Sequence, residues 1–113
     1  MAGDHVLIGF RIELWDSGRL IASALCEGAF LAAALPRPGD LVASRIVGGT
    51  TLPRWVPGPF MEVTAVEHYP AKPPDQPGVQ VVIRQEARRV SMDELRPLEA
   101  FGWIVELFPG TPG

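Results

Sequence analysis

Val6, Ile8, Phe10, Ile12 and Leu14 are separated one by one by Leu7, Gly9, Arg11 and Glu13, with His5 and Trp15 at the two ends. A strand turns successive side chains to opposite faces, whereas a helix brings a face back only after three or four residues. Alternation sustained over this length predicts a strand from His5 to Trp15 that buries one face. Any fold for the chain must supply that face with a core.

Asp16-Ser17-Gly18 follows, and its turn chemistry sends the chain back through the apolar stretch Leu20 to Glu27. The two segments predict a β-hairpin. Two registers are open. A two-residue loop at Ser17-Gly18 sets Leu14 opposite Ile21 and Phe10 opposite Leu25, with Cys26 on the face away from the core. A three-residue loop moves the partners by one and buries Cys26.

Gly and Pro, twelve of each in 113 residues, divide the remainder into short pieces. Such pieces suit strands and turns better than long helices. Gly28 to Leu35 is Ala-rich and reads as a short helix, with continuation of the strand as the alternative. Pro36-Arg37-Pro38-Gly39-Asp40 is a turn leading into a strand from Leu41 to Val47. Gly48 to Pro59 holds too many Gly and Pro for a helix or a central strand and reads as a long surface loop. Phe60 to Tyr69 is a strand, with Met61, Val63 and Ala65 on one face and Phe60, Thr64 and Val66 on the other. Pro70 to Gly78 is a flexible connection to its partner, Val79 to Arg84.

Near the end, Ser91 and Glu94 have capping-box spacing, and Leu95, Leu98 and Phe101 recur on one face of a short helix ending at Gly102. Pro97 breaks that helix into tight turns or a kink. Trp103 to Phe108 is a final strand, with Trp103 in the core, and Pro109 to Gly113 is a frayed tail. The expected architecture is mainly β, a β-rich α+β chain. One domain over residues 1–108 holds five or six strands in a strongly bent antiparallel sheet or a partly open SH3-like or OB-like barrel, with one short helix near the C-terminus.

The formal charge of −3 disfavours binding to nucleic acid by bulk attraction. Nine of the ten basic residues are Arg, and only Lys72 is Lys, which favours planar or stacked contacts. Cys26 is the only cysteine, and the apolar block Gly28 to Leu35 is far short of the ~20 residues that cross a bilayer. A soluble, cytoplasmic chain without membrane attachment is expected.

Catalysis by a nucleophile needs a base, and only His5 and His68 offer one, neither in a recognised catalytic motif. Glu62 and His68, on one strand face, are roughly 20 Å apart, too far for one metal ion. Gly48-Gly49-Thr50-Thr51 lacks the lysine and spacing of a phosphate loop. No cofactor is expected.

The remaining binding candidates are Arg45, Arg54, Trp55, Arg84, Arg88 and Arg89. As one surface they suit single-stranded nucleic acid or an acidic protein. The alternative is that Arg88 and Arg89 pair with Glu86, Asp93 or Glu94 and only solvate the chain. Trp55 is the candidate anchor within the long loop, or else the residue that pins the loop down. The sequence therefore favours a non-enzymatic binding module for a protein partner or a second copy of itself. Nucleic-acid binding through the Arg/Trp surface is the second reading.

Overall fold

A computed structural model describes residues 6–49, 51–69 and 78–108. Among them are seven strands: β1 Val6–Asp16, β2 Arg19–Ala32, β3 Leu41–Ala43, β4 Phe60–Glu62, β5 Ala65–His68, β6 Val79–Glu86 and β7 Trp103–Leu107. One α-helical turn, α1 Met92–Leu95, and two 3-10 segments, Ser44–Val47 and Arg96–Phe101, accompany them. The chain is mainly β, as its alternation and its Gly and Pro content require. The tail 109–113 and most of the Pro70 to Gly78 connection lie outside the described residues, as does His5.

The first hairpin reconciles the two registers that the sequence leaves open. Its loop is the two-residue one, with Ser17 at φ 52 and Gly18 at φ 80, the positive angles of a type I′ turn. Trp15 accordingly pairs with Leu20. One step on, Leu14 pairs with Ala22, so Ile21 is an extra residue on β2. This bulge moves the pairs from Leu14 to Phe10 by one, placing Phe10 opposite Cys26, and a second irregularity then sets Ile8 opposite Phe30. Cys26 is therefore buried despite the short loop.

Five strands form one sheet in the order β5-β6-β1-β2-β7, and β3 and β4 form a separate two-stranded ribbon. The sheet is mixed, not antiparallel throughout. β1 runs parallel to β6 from Ile8 opposite Val79 to Trp15 opposite Glu86, and the other neighbours are antiparallel. A parallel pair needs a long crossover, and here everything between the two strands supplies it. Among the described residues β5 and β7 end the sheet on opposite sides without pairing, and no closed barrel forms.

One face of this sheet carries the core. Ile8, Phe10, Ile12 and Leu14 of β1 pack with Ala22, Ala24 and Cys26 of β2 and with Val81 and Ile83 of β6. Met61, Val47, Trp55, Leu95 and Leu98 join the same cluster from the ribbon, the loop and the helical turns. Gly28 to Leu35 is not helical: β2 continues to Ala32, and Phe30 sets its ring edge-on to Phe10 at 5.1 Å. Pairing with β1 and this aromatic contact outweigh the modest helix propensity of alanine.

The second layer is more broken than the sequence suggests. The expected strand Leu41 to Val47 becomes extended only as far as Ala43, because Ser44 turns inward. Its N–H donates to the Pro59 carbonyl at 2.8 Å and its Oγ to the Gly58 carbonyl at 2.6 Å. Phe60 to Tyr69 likewise divides into β4 and β5. Val63 donates to Asp40, whereas Thr64 donates to Val82, so the chain leaves the ribbon and joins the main sheet between them.

The turn at Pro38-Gly39 forms as expected, closed by the Asp40 N–H on the Arg37 carbonyl at 2.9 Å. The capping box also forms, with the Ser91 N–H donating to Glu94 Oε2 at 2.7 Å. Pro97 limits α1 to one turn and the chain continues as a 3-10 segment to Gly102, whose φ of 89 ends it. Trp103 is buried, as expected.

Candidate functional site

Three surfaces follow from this fold: the second face of the sheet, the Gly48 to Pro59 loop, and the free side of β7. On the second face, Arg11 of β1 spans β6 to reach Glu67 of β5, with Nη1 and Nη2 donating to its two oxygens at 2.9 and 2.8 Å. Arg11 also donates to Gln80 Oε1 at 3.1 Å and to Glu13 Oε2 at 3.1 Å. Glu13, only 8% exposed, accepts from Arg84 Nε at 3.0 Å and from the Trp15 indole at 3.1 Å.

These contacts fix the charge of the face. The Arg11 guanidinium, and then the Tyr69 hydroxyl at 2.5 Å, hold the Glu67 carboxyl down at about 2. Glu67 in turn raises Arg11 above its ordinary value, and its hydrogen bond raises the Tyr69 phenol. The Arg84 guanidinium also lies 5.3 Å from the Trp15 ring centre, a cation–π distance. Opposite charges on β1, β6 and β5 thus satisfy one another, and the network braces the sheet.

The six residues singled out in the sequence do not form one patch. Arg84 belongs to the bracing network on the sheet. Arg45 is exposed on the 3-10 turn after β3. Trp55 is 4% exposed and lies in the core, so it pins the loop from below. Its indole Nε1, like that of Trp103, has no hydrogen-bond partner among the described residues.

Arg54 does come together with Arg88 and Arg89, but in an unforeseen way. Its guanidinium donates to the carbonyls of Arg88 at 2.7 Å and Arg89 at 3.1 Å and pairs with Glu94. Arg54 and the backbone Ser91 N–H hold the Glu94 carboxyl below its ordinary range. The Arg88 and Arg89 side chains are exposed, and no carboxylate pairs with either among the described residues.

The loop is thus anchored at Ser44, Arg54 and Trp55. Beside it runs an apolar depression of about 280 Å³, with Gly48, Leu52 and Pro53 on one side and Leu98 and Phe101 on the other. The Gly48 N–H is donated to the Arg45 carbonyl at 3.0 Å, so this amide is not free to bind an anion. His68 is exposed at the end of β5. No group of three or more potential metal-ligating side chains occurs among the described residues.

The third surface was not identified from sequence. The Phe108 N–H donates to the Ile21 carbonyl at 2.8 Å, and Leu107 pairs with Ala22. In an antiparallel ladder the residues that bond to a given neighbour alternate. Glu106 and Ile104 therefore direct their backbone groups to β2, whereas Trp103, Val105 and Leu107 direct theirs away. No strand pairs with that side among the described residues.

Ile104 and Leu107 are 48% and 38% exposed on this strand, and Phe101 just before it is 52% exposed. Glu106 is the single charge on β7. Strand β7 is legible as a strand from its residues, but its place at the end of the sheet is set by pairings between distant segments. No family model, curated protein or solved structure matches the chain. Among the described residues no helix is long and apolar enough to cross a membrane.

Proposed function

We propose that the chain is a non-enzymatic binding module that recognises protein through the open edge of its sheet. The observation that carries this reading is the free side of β7. A row of outward N–H and C=O groups, flanked by exposed Ile104 and Leu107, is a template for an added strand. An edge of this kind is commonly blunted by lysine, proline or a bulge, and β7 has none of these.

The Arg-rich surface supports this reading less strongly and the nucleic-acid reading less still. Arg54 and Arg84 are each engaged by a carboxylate, and Trp55 is withdrawn into the core. Stacking and phosphate contacts need these groups free.

Val105→Pro tests the edge, because it removes an outward N–H that β2 does not use. Folding of the variant is first checked by circular dichroism. A protein ligand, or a second copy, that is retained by the wild type and lost by the variant supports the proposal. Equal retention by both, or retention by neither, overturns it.

A further inference from the structure

We infer that the occupant of the β7 edge is β7 of a second copy, paired antiparallel about a two-fold axis at Val105. The inference rests on the reading of β7 as a binding edge and names the partner of that edge. A two-fold axis perpendicular to the sheet keeps core-facing residues opposite core-facing residues, so only alternate registers are available.

Three registers cover most of the strand. Centring the axis on Glu106 sets that carboxylate against its own copy, which is destabilising. Centring it on Ile104 pairs Glu106 with Gly102, which at φ 89 is not extended, and leaves Leu107 beyond the strand partner. Centring it on Val105 pairs all of Trp103–Leu107. The outward groups of Trp103, Val105 and Leu107 then find partners in Leu107, Val105 and Trp103 of the second copy.

Side chains agree with this choice. On the core face, Val105 meets Val105 and Trp103 meets Leu107. On the other face, Ile104 meets Glu106, so the two carboxylates do not face each other. The joined molecules form one ten-stranded sheet with β5 at each outer end. β5 is the better-protected edge, being four residues long with Glu67 and His68 on it.

A pair of five-residue strands is a small interface, and small interfaces hold weakly. Association is therefore expected to depend on concentration, with mass rising from monomer toward dimer between about 10 µM and about 1 mM.

Disulfide trapping reads the register. Ile104 and Glu106 of the second copy form a non-hydrogen-bonded pair, with Cα atoms about 4.5 Å apart, within disulfide range. Ile104→Cys and Glu106→Cys are made separately, at positions exposed to solvent, with Cys26 buried and out of reach. The expected result is a cross-linked dimer on mixing the two variants under mild oxidation, and little from either alone.

Cross-linking of Ile104→Cys by itself overturns the register. A wild type that stays monomeric at the higher concentration, together with no mixed disulfide, overturns self-pairing. That failure is distinct from failure of the binding-module reading, which depends on whether Val105→Pro changes retention of any protein ligand.

Discussion

Arg11 and Glu67 are joined by two parallel hydrogen bonds that pass over β6, Nη1 to Oε1 at 2.9 Å and Nη2 to Oε2 at 2.8 Å. Beneath the bridge is Val82, the cross-strand neighbour of Arg11, which is 1% exposed yet lies outside the main hydrophobic cluster. The side of the sheet away from the core is therefore sealed locally by charged side chains whose apolar stems lie along it. A planar guanidinium suits this task better than an ammonium, in keeping with the preference for Arg over Lys in the chain.

This bridge gives the protein an acid-sensitive component. Glu67 is held at about 2 in the folded chain, chiefly by Arg11 and then by Tyr69, against 4.5 ordinarily. A depressed carboxylate contributes stability that is complete above its unfolded value and is lost as pH falls through the window from about 4.5 to about 2. Glu94, also depressed, acts in the same direction. Glu67→Gln is expected to cost about 1 kcal/mol at pH 7, a figure discounted for the exposure of the pair. Urea midpoints should show the gap between wild type and variant closing at pH 2. A gap that stays constant across this range would remove the bridge as its source.

Gly48 and Phe101 form a second testable contact. A Cβ on Gly48 would lie 2.2 Å from Phe101 Cγ and 2.7 Å from its Cβ, atoms that cannot yield by a rotation of the ring alone. Gly48 also has φ 87 and ψ 172, a conformation almost confined to glycine that costs an L-residue about 1–3 kcal/mol. Gly48→Ala should destabilise by about 2–4 kcal/mol. Combining it with Phe101→Ala should recover the part due to the ring, and leave the contact with the remaining Cβ at position 101 and the backbone part. Additive losses in that double-mutant cycle would show that the ring is not what Gly48 accommodates.

What was legible in the sequence follows from the range of the forces involved. Local rules placed the β1 core face, a turn within Asp16-Ser17-Gly18, the Pro38-Gly39 turn, the Ser91 cap and the Gly102 stop, each specified within a few residues. The parallel pairing of β1 with β6 joins segments some 70 positions apart and leaves no local mark. The bulge at Ile21 was invisible for a related reason, since both neighbouring residues suit a strand and only the packing of Phe10 on its partners chooses between registers. The site was less legible than the fold. An exposed Trp55 and a buried Trp55 have the same neighbours in sequence, and the edge position of β7 is a property of the whole sheet.

The buried Cys26 provides a probe of that register. With Phe10 opposite it and Trp103 on its other side, its thiol is shielded on both flanks. Modification by a thiol reagent should therefore be slow in the native protein and limited by opening of the structure. Reaction should accelerate through the urea transition in step with loss of circular dichroism. Rapid, stoichiometric modification of the folded chain would mean that the bulge does not shift the register.

Trp55 separates a packing role from a recognition role. Its ring is enclosed by the core, so Trp55→Ala should cost about 3–5 kcal/mol by leaving a cavity. Trp55→Phe keeps most of the aromatic volume and also removes an indole N–H that is buried without a partner among the described residues, a group whose desolvation costs about 1–3 kcal/mol. The two effects oppose, and the net change for phenylalanine should stay below about 1.5 kcal/mol. Binding through β7 should be unaffected by Trp55→Phe, because the ring is buried in the core and offers almost no surface to a partner. Unchanged stability in Trp55→Ala, paired with lost binding in Trp55→Phe, would instead assign Trp55 to the interface.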